Sequence, residues 1–325
     1  MLDIAGLIIL HGCIAALLVE ALLRIWRVQD PGERLALRWL ALAAPMVLPA
    51  AFHDVAPGRS AELFSSTQAV FAGEHWNQLT IGGTGLATLA AVVLVILGGL
   101  LYLRDVLPFL EDRIGGAGER DYAPDHPDLP RVRTLLSELQ RALGAPAMAV
   151  VLLDRVTPVL LCSGIDRPTL VISTGTLSRL ADDQLRAAIA HELAHAKRRD
   201  PLMGWLLMVF RTLAWFSPVA QIVARQIVQE LEYRADVAVA RLGQSAALSR
   251  AIAALGDTPD SDTDLLPPRW IRGIPSGWLV RAEQVAVGAR CERVFVQPEP
   301  VRSGLAALRF GLAAAGMTAL LVFVV

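Results

Sequence analysis

The chain has 325 residues, 54% of them hydrophobic and 19% charged, with a mean hydropathy of +0.48. That balance excludes an ordinary soluble globule and points to a membrane protein carrying one soluble domain of moderate size. A formal net charge of −1, with no strongly basic domain, argues against nucleic acid as a direct partner, and Cys13, Cys162 and Cys291 make neither a C-x-x-C pair nor a disulfide framework.

Residues 4–23 are the first apolar run, long enough to cross a hydrocarbon layer of ~30 Å. Met1-Leu2-Asp3 before it carries no positive charge while Arg24 and Arg27 follow it, which is not a signal-peptide pattern. Glu20, one turn from Arg24, reads as a snorkelled ion pair, and His11 as a packed histidine. A loop bearing Arg24, Arg27, Arg34 and Arg38 leads to a second apolar run ending near Phe52, kinked at Pro45 and Pro49. Residues 54–80 hold one arginine, Arg59, and no lysine; Leu63, Phe64, Val70 and Phe71 there recur at the spacing of an amphipathic surface helix. Residues 82–103 are a third, uncharged run, followed by Arg104, Arg113 and Arg120. By the positive-inside rule the N-terminus faces outward and the large domain is cytoplasmic.

Residues 105–128 read as a linker, and 129–143 as an amphipathic helix with Leu135, Leu136, Leu139 and Leu143 on one side. Three short apolar runs at 148–153, 159–162 and 169–173 suggest a small sheet. A helix then begins near Asp182 and ends near Arg199. Its sequence, LRAAIAHELAHAKRRD from Leu185 to Asp200, puts His191 and His195 one turn apart on one face with Glu192 beside them. That HExxH pattern suits zinc, with two histidines holding the ion and the glutamate activating water. A further helix carries Glu232 and Asp236 at i and i+4. Glu232 supplies the third ligand of an attested His-His-Glu set, and Asp236 accepts the free N–H of a liganding histidine.

The stretch 202–223 between them is apolar, with Arg211 in its middle and Asp200-Pro201 as a helix start. A single crossing would separate Glu232 from the histidines by a membrane, whereas zinc–ligand bonds are only ~2.0–2.2 Å. The stretch is therefore a helix of the domain core or a hairpin against the membrane turning at Ser217-Pro218; a core or interfacial helix is preferred. Residues 257–268 are polar, 278–296 read as another amphipathic helix, and 305–325 are a last span with Arg302 and Arg309 at its inner end.

HELAHAKRRD, the apolar stretch ending Trp215-Phe216-Ser217-Pro218, and ELEYRAD together resemble the BlaR/MecR-type antirepressor membrane peptidases, gluzincin-like zinc endopeptidases of bacterial membranes. The resemblance covers roughly residues 147–243. It implies a sheet whose edge strand receives the substrate as an added strand, and a regulatory role in which a cytoplasmic transcriptional repressor, or the peptidase itself, is cut. No penicillin-binding sensor domain accompanies it here, which sets β-lactam sensing apart from this chain. The expected architecture is an α-helical membrane protein with about four transmembrane helices and a cytoplasmic α+β zinc metallopeptidase domain. Residues 1–104 would hold three spans with an outer loop at about 54–81, residues 105–302 the peptidase, and 303–325 the last span. The cofactor is Zn2+, bound by His191, His195 and Glu232, with Glu192 catalytic and Asp236 behind a histidine. The partners are a protein substrate and the bilayer of the bacterial cytoplasmic membrane. A membrane quality-control peptidase, or a non-catalytic zinc-containing receptor or scaffold, are the rival readings.

Overall fold

The structure is a computed structural model and describes residues 2–56, 58, 80–81, 83–115, 123–164, 167–256, 287–296 and 303–324. The chain divides into two compact units: Met1–Arg104 with Val209–Ile227 and Glu299–Val325, and Asp105–Met208 with Val228–Pro298.

The first unit begins with α1 (Leu2–Ile25) and α2 (Pro31–Val55). Asp30 caps α2 by accepting the Glu33 N–H at 2.9 Å, and Pro31 opens the helix where a missing N–H costs nothing. Two short antiparallel strands, β1 (Thr80–Ile81) and β2 (Thr84–Gly85), precede α3 (Leu86–Gly115); α11 (Ser303–Val322) comes last. Among the described residues, two helices are long and apolar enough to cross a membrane, Ala5–Ile25 and Ser303–Val322. Of the other two expected spans, α2 carries Glu33, Arg34, Arg38 and two prolines, and the apolar part of α3, Thr88–Leu103, is shorter. Glu20 pairs with Arg24 at 3.1 Å as its spacing suggests, and buried His11 places Nε2 3.1 Å from the Val324 carbonyl.

Where the sequence suggested a linker from residue 105, α3 continues to Gly115. The linker residues 116–122, the surface helix expected around 63–71, the polar stretch 257–268 and the beginning of the helix expected from 278 lie outside the described residues.

The second unit is built on a three-stranded sheet of β3 (Ala149–Leu153), β4 (Leu160–Ser163) and β5 (Thr169–Ser173). The strand order is β3–β5–β4, with β5 parallel to β3 and antiparallel to β4. Strand periodicity divides its side chains. Leu152, Leu170 and Ile172 join a helical core, while Val151, Val159, Leu161 and Val171 pack together on the other face. The helical core is supplied by α4 (Leu129–Leu143) through Val132, Leu136 and Leu139, by α6 (Asp182–Arg198) through Leu185, Ile189 and Leu193, and by α9 (Ser245–Gly256) through Leu248 and Ile252. Leu135 and Leu143, expected on the same face of α4, are partly buried against this core. Short α5 (Thr174–Arg179) and α10 (Val287–Arg293) complete the unit.

The ambiguous stretch 202–223 resolves into α7 (Asp200–Leu213) and the beginning of α8 (Pro218–Ala240). Neither one continuous crossing nor one core helix forms. Pro218 lacks the N–H that would continue α7, and Ser217 turns the chain by accepting the Ala220 N–H on its hydroxyl at 3.3 Å.

Candidate metal centre

Helix α6 starts where Asp182 and Asp183 complement the helix dipole and the Gln184 side chain accepts the Ala181 N–H at 3.1 Å. It ends at Arg199, which takes a left-handed φ of 56°. With Leu185, Ile189 and Leu193 anchored in the core, a 3.6-residue repeat turns His191 and His195 to another face. On α8, Glu232 and Asp236 lie one turn apart and meet that face.

The five residues singled out from the sequence come together. His191 Nε2 lies 3.0 Å from His195 Nε2 and 3.1 Å from Glu232 Oε2, and His195 Nε2 lies 3.4 Å from Glu232 Oε1. Tetrahedral coordination with bonds of about 2.0–2.1 Å would separate ligand atoms by roughly 3.3 Å, so the three side chains fit a zinc ion. Among the described residues, this is the group of three metal-binding side chains whose ligand atoms converge.

Each imidazole is held from behind. Asp236 Oδ1 lies 3.0 Å from His191 Nδ1, and Asp200 Oδ2 lies 2.9 Å from His195 Nδ1. A carboxylate behind Nδ1 keeps the proton there and presents the Nε2 lone pair forward, the tautomer a metal needs. Asp236 and Asp200 are both buried. Burial works against charge on His195, but Glu232 and Asp200 outweigh it and hold its pKa well above the usual value. Burial and Arg290 oppose charge on His191, and the bonds to Asp236 and Glu232 still hold its pKa up.

The roles of three further residues escaped the sequence reading. Asp200 was read only as the start of α7, although it sits one turn and a half beyond His195 at the end of the motif helix. Arg234 bonds the other Asp200 oxygen at 2.6 Å, so it is a partner of the site's support. Arg290 comes from far along the chain, and no local signal pointed to it. It grips Asp236 with two bonds, Nε to Oδ2 at 2.9 Å and Nη2 to Oδ1 at 2.8 Å. Its Nη2 is also 3.2 Å from Glu232 Oε2 and 3.0 Å from His191 Nε2. A fixed positive charge is thereby placed between two buried carboxylates, and Asp236 is kept below the usual carboxylate range despite its burial.

Glu192 turns towards the sheet, where its Oε2 accepts the Cys162 backbone N–H at 2.6 Å. Burial raises its pKa, against the opposing pull of the two histidines. Cys162 lies on β4, an edge of the three-stranded sheet, so that edge and Glu192 are adjoining.

Residues 131–248 match the family described as BlaR1 peptidase M56. The chain is 29% identical over 76 residues to the regulatory protein BlaR1 of Bacillus licheniformis, covering 23% of this chain and 12% of that protein. It is 34% identical over 75 residues to the protease HtpX of Legionella pneumophila, covering 22% and 27% respectively. A protease HtpX homolog of Salinibacter ruber is 32% identical over 124 residues, covering 38% of this chain and 43% of the homolog. The similarity to the BlaR1/M56-type membrane metallopeptidases thus lies in the stretch that holds the converging side chains. The matches span less than half the length of each of these relatives.

Proposed function

We propose that the protein is an integral membrane zinc metalloendopeptidase that hydrolyses peptide bonds of cytoplasmic or membrane-proximal proteins. The observation that carries this is the convergence of His191 Nε2, His195 Nε2 and a Glu232 carboxylate oxygen, with Glu192 beside them. His191, His195 and Glu232 would hold a zinc ion, which would supply Lewis-acid chemistry and lower the pKa of water towards neutrality.

The chain's own residues do the rest. The edge strand β4 receives the substrate as an added strand, because an extended peptide can satisfy its backbone groups on a sheet edge. Glu192 takes a proton from the attacking water as the C–O bond forms, then delivers it to the amide nitrogen as the C–N bond breaks. Its raised pKa suits both halves of that task. Asp236 and Asp200 keep the histidines in the liganding tautomer, and Arg290 offsets the negative charge of Asp236 and Glu232.

The arginine-rich stretches support four spans with the peptidase domain in the cytoplasm. Cysteines introduced at Arg104 and Gly243 should be shielded from an impermeant reagent in intact cells, while one near Arg59 should react. Resemblance to regulatory peptidases supports regulated proteolysis, with a transcriptional repressor or the chain itself as the substrate. The metal assignment is tested by elemental analysis of purified protein. Wild type should hold about one zinc per chain, and His191→Ala should lose most of it. Full retention in that variant would overturn the ligand set.

A further inference from the structure

We infer that the turn between α7 and α8 is a re-entrant membrane element: residues 209–227 dip into the hydrocarbon layer and return to the side from which they entered. The inference rests on the reading of Ala5–Ile25 as a transmembrane span and concerns contacts within the first unit alone.

Depth is fixed by what the turn touches. A Cβ added at Gly12 would lie 3.9 Å from both Ser217 Oγ and Val219, so the tip packs against α1 at that glycine. Gly12 is about 10 Å along the helix from Ala5 and about 20 Å from Ile25, well inside a hydrocarbon layer of ~30 Å. A second helix agrees. A Cβ at Gly98 would fall 2.3 Å from the Phe216 carbonyl oxygen, and one at Gly99 would lie 3.2 Å from the Trp215 ring. Only glycine at 98 admits this approach, and it lies within the apolar stretch Thr88–Leu103.

Return to the entry side follows from two adjacent residues of α2. Trp39 meets Phe210 of α7 edge-on, with ring centroids 5.8 Å apart, and Arg38 donates to Gln226 of α8 at 2.5 Å. Both arms therefore pass one level, and Arg38 fixes it near Glu20, 3.7 Å away and close to the C-terminal end of α1. A crossing segment would put its two ends at opposite ends of α1.

Polar groups of the two arms bond one another, as a hydrocarbon environment favours. Arg211 and Gln221 are fully buried. Arg211 Nε donates to Gln221 Oε1 at 2.8 Å, and Gln221 Nε2 donates to the carbonyls of Arg211 and Ala214 at 3.3 and 3.1 Å. The outward side chains are Leu213, Trp215 and Ile222, each about half exposed, and Arg211 is the sole charged residue from 209 to 224. The surface so presented fits acyl chains.

The test uses the full chain in liposomes, with a spin label on a keto-bearing unnatural residue so that the native cysteines stay. Labels at Leu213 and Ile222 should collide readily with oxygen and lose collisions with a water-soluble nickel chelate. In this they should resemble a label at Leu17 on the exposed face of α1 and differ from one at Arg241. Nickel accessibility at 213 and 222 equal to that at 241, with Leu17 still in lipid, would overturn the hairpin alone. A wet label at Leu17 would overturn the span and the hairpin together. An impermeant keto-directed reagent reaching positions 205 and 241 from opposite faces of sealed vesicles would show a crossing and overturn it as well.

Discussion

Asp200 Oδ2 lies 2.9 Å from His195 Nδ1, so the residue that opens α7 also sets the tautomer of the second histidine of the motif helix. His191 is treated in the same way by Asp236 from α8, and the two imidazoles are supported by carboxylates from different helices. The support from Asp200 is itself fixed by Arg234 at 2.6 Å.

Replacing Asp200 with alanine frees the His195 ring to rotate and to place its proton on Nε2. Losing such a partner typically weakens metal affinity about 10–100-fold. Zinc titration against a competing chelator should show that loss in Asp200→Ala, with Asp200→Asn between it and wild type. An affinity unchanged in both would mean that Asp200 serves only Arg234.

Arg290 stands between Asp236 and Glu232, both largely buried. Arg290→Met leaves those carboxylates without their cation, a change that typically costs about 3–5 kcal/mol. Zinc supplies positive charge beside Glu232, so the loss should be smaller when the metal is bound. Thermal unfolding with and without zinc should show a larger zinc-dependent rise in Tm for Arg290→Met than for wild type. Equal rises would contradict this electrostatic role.

Cys162 acts through its backbone. Cys162→Ala keeps the N–H that Glu192 accepts and should leave cleavage nearly unchanged. Cys162→Pro removes that donor at an edge strand, where proline is tolerated, and should lower kcat while zinc content holds. Inactivation by Cys162→Ala would instead assign the thiol a part.

Much of this site was legible because it is local. HExxH on one helix and an acidic pair on the next each obey helical spacing, so their faces followed from periodicity. The sheet was legible in the β-branched runs of 148–153 and 169–173, but not its order, because pairing joins residues distant in sequence. That order decides which edge adjoins Glu192. Arg290 was beyond reach for the same reason: some fifty residues separate it from Asp236, and no repeat encodes their contact. Residues 202–223 misled because hydropathy does not distinguish a core helix from two short arms, and the deciding Arg211–Gln221 bond is visible only in three dimensions. Asp200 was visible as a residue, but a helix-start reading concealed its turn back towards His195.

The central claim is that the converging side chains hydrolyse peptide bonds, and Glu192→Gln tests it most directly. Glutamine keeps the size of the side chain and an oxygen for the Cys162 N–H, while the base is gone. Since Glu192 lies outside the proposed ligand set, zinc content should stay at about one per chain. Cleavage should fall by roughly 10²–10⁴-fold, as expected on losing a general base. The measurement compares terminal peptides in cells carrying wild type or Glu192→Gln, with zinc assayed on the same purified proteins. Accumulation of an uncut cytoplasmic substrate in the variant is the predicted result; a folded, zinc-loaded variant with an unchanged peptide profile would contradict the account and favour a non-catalytic receptor.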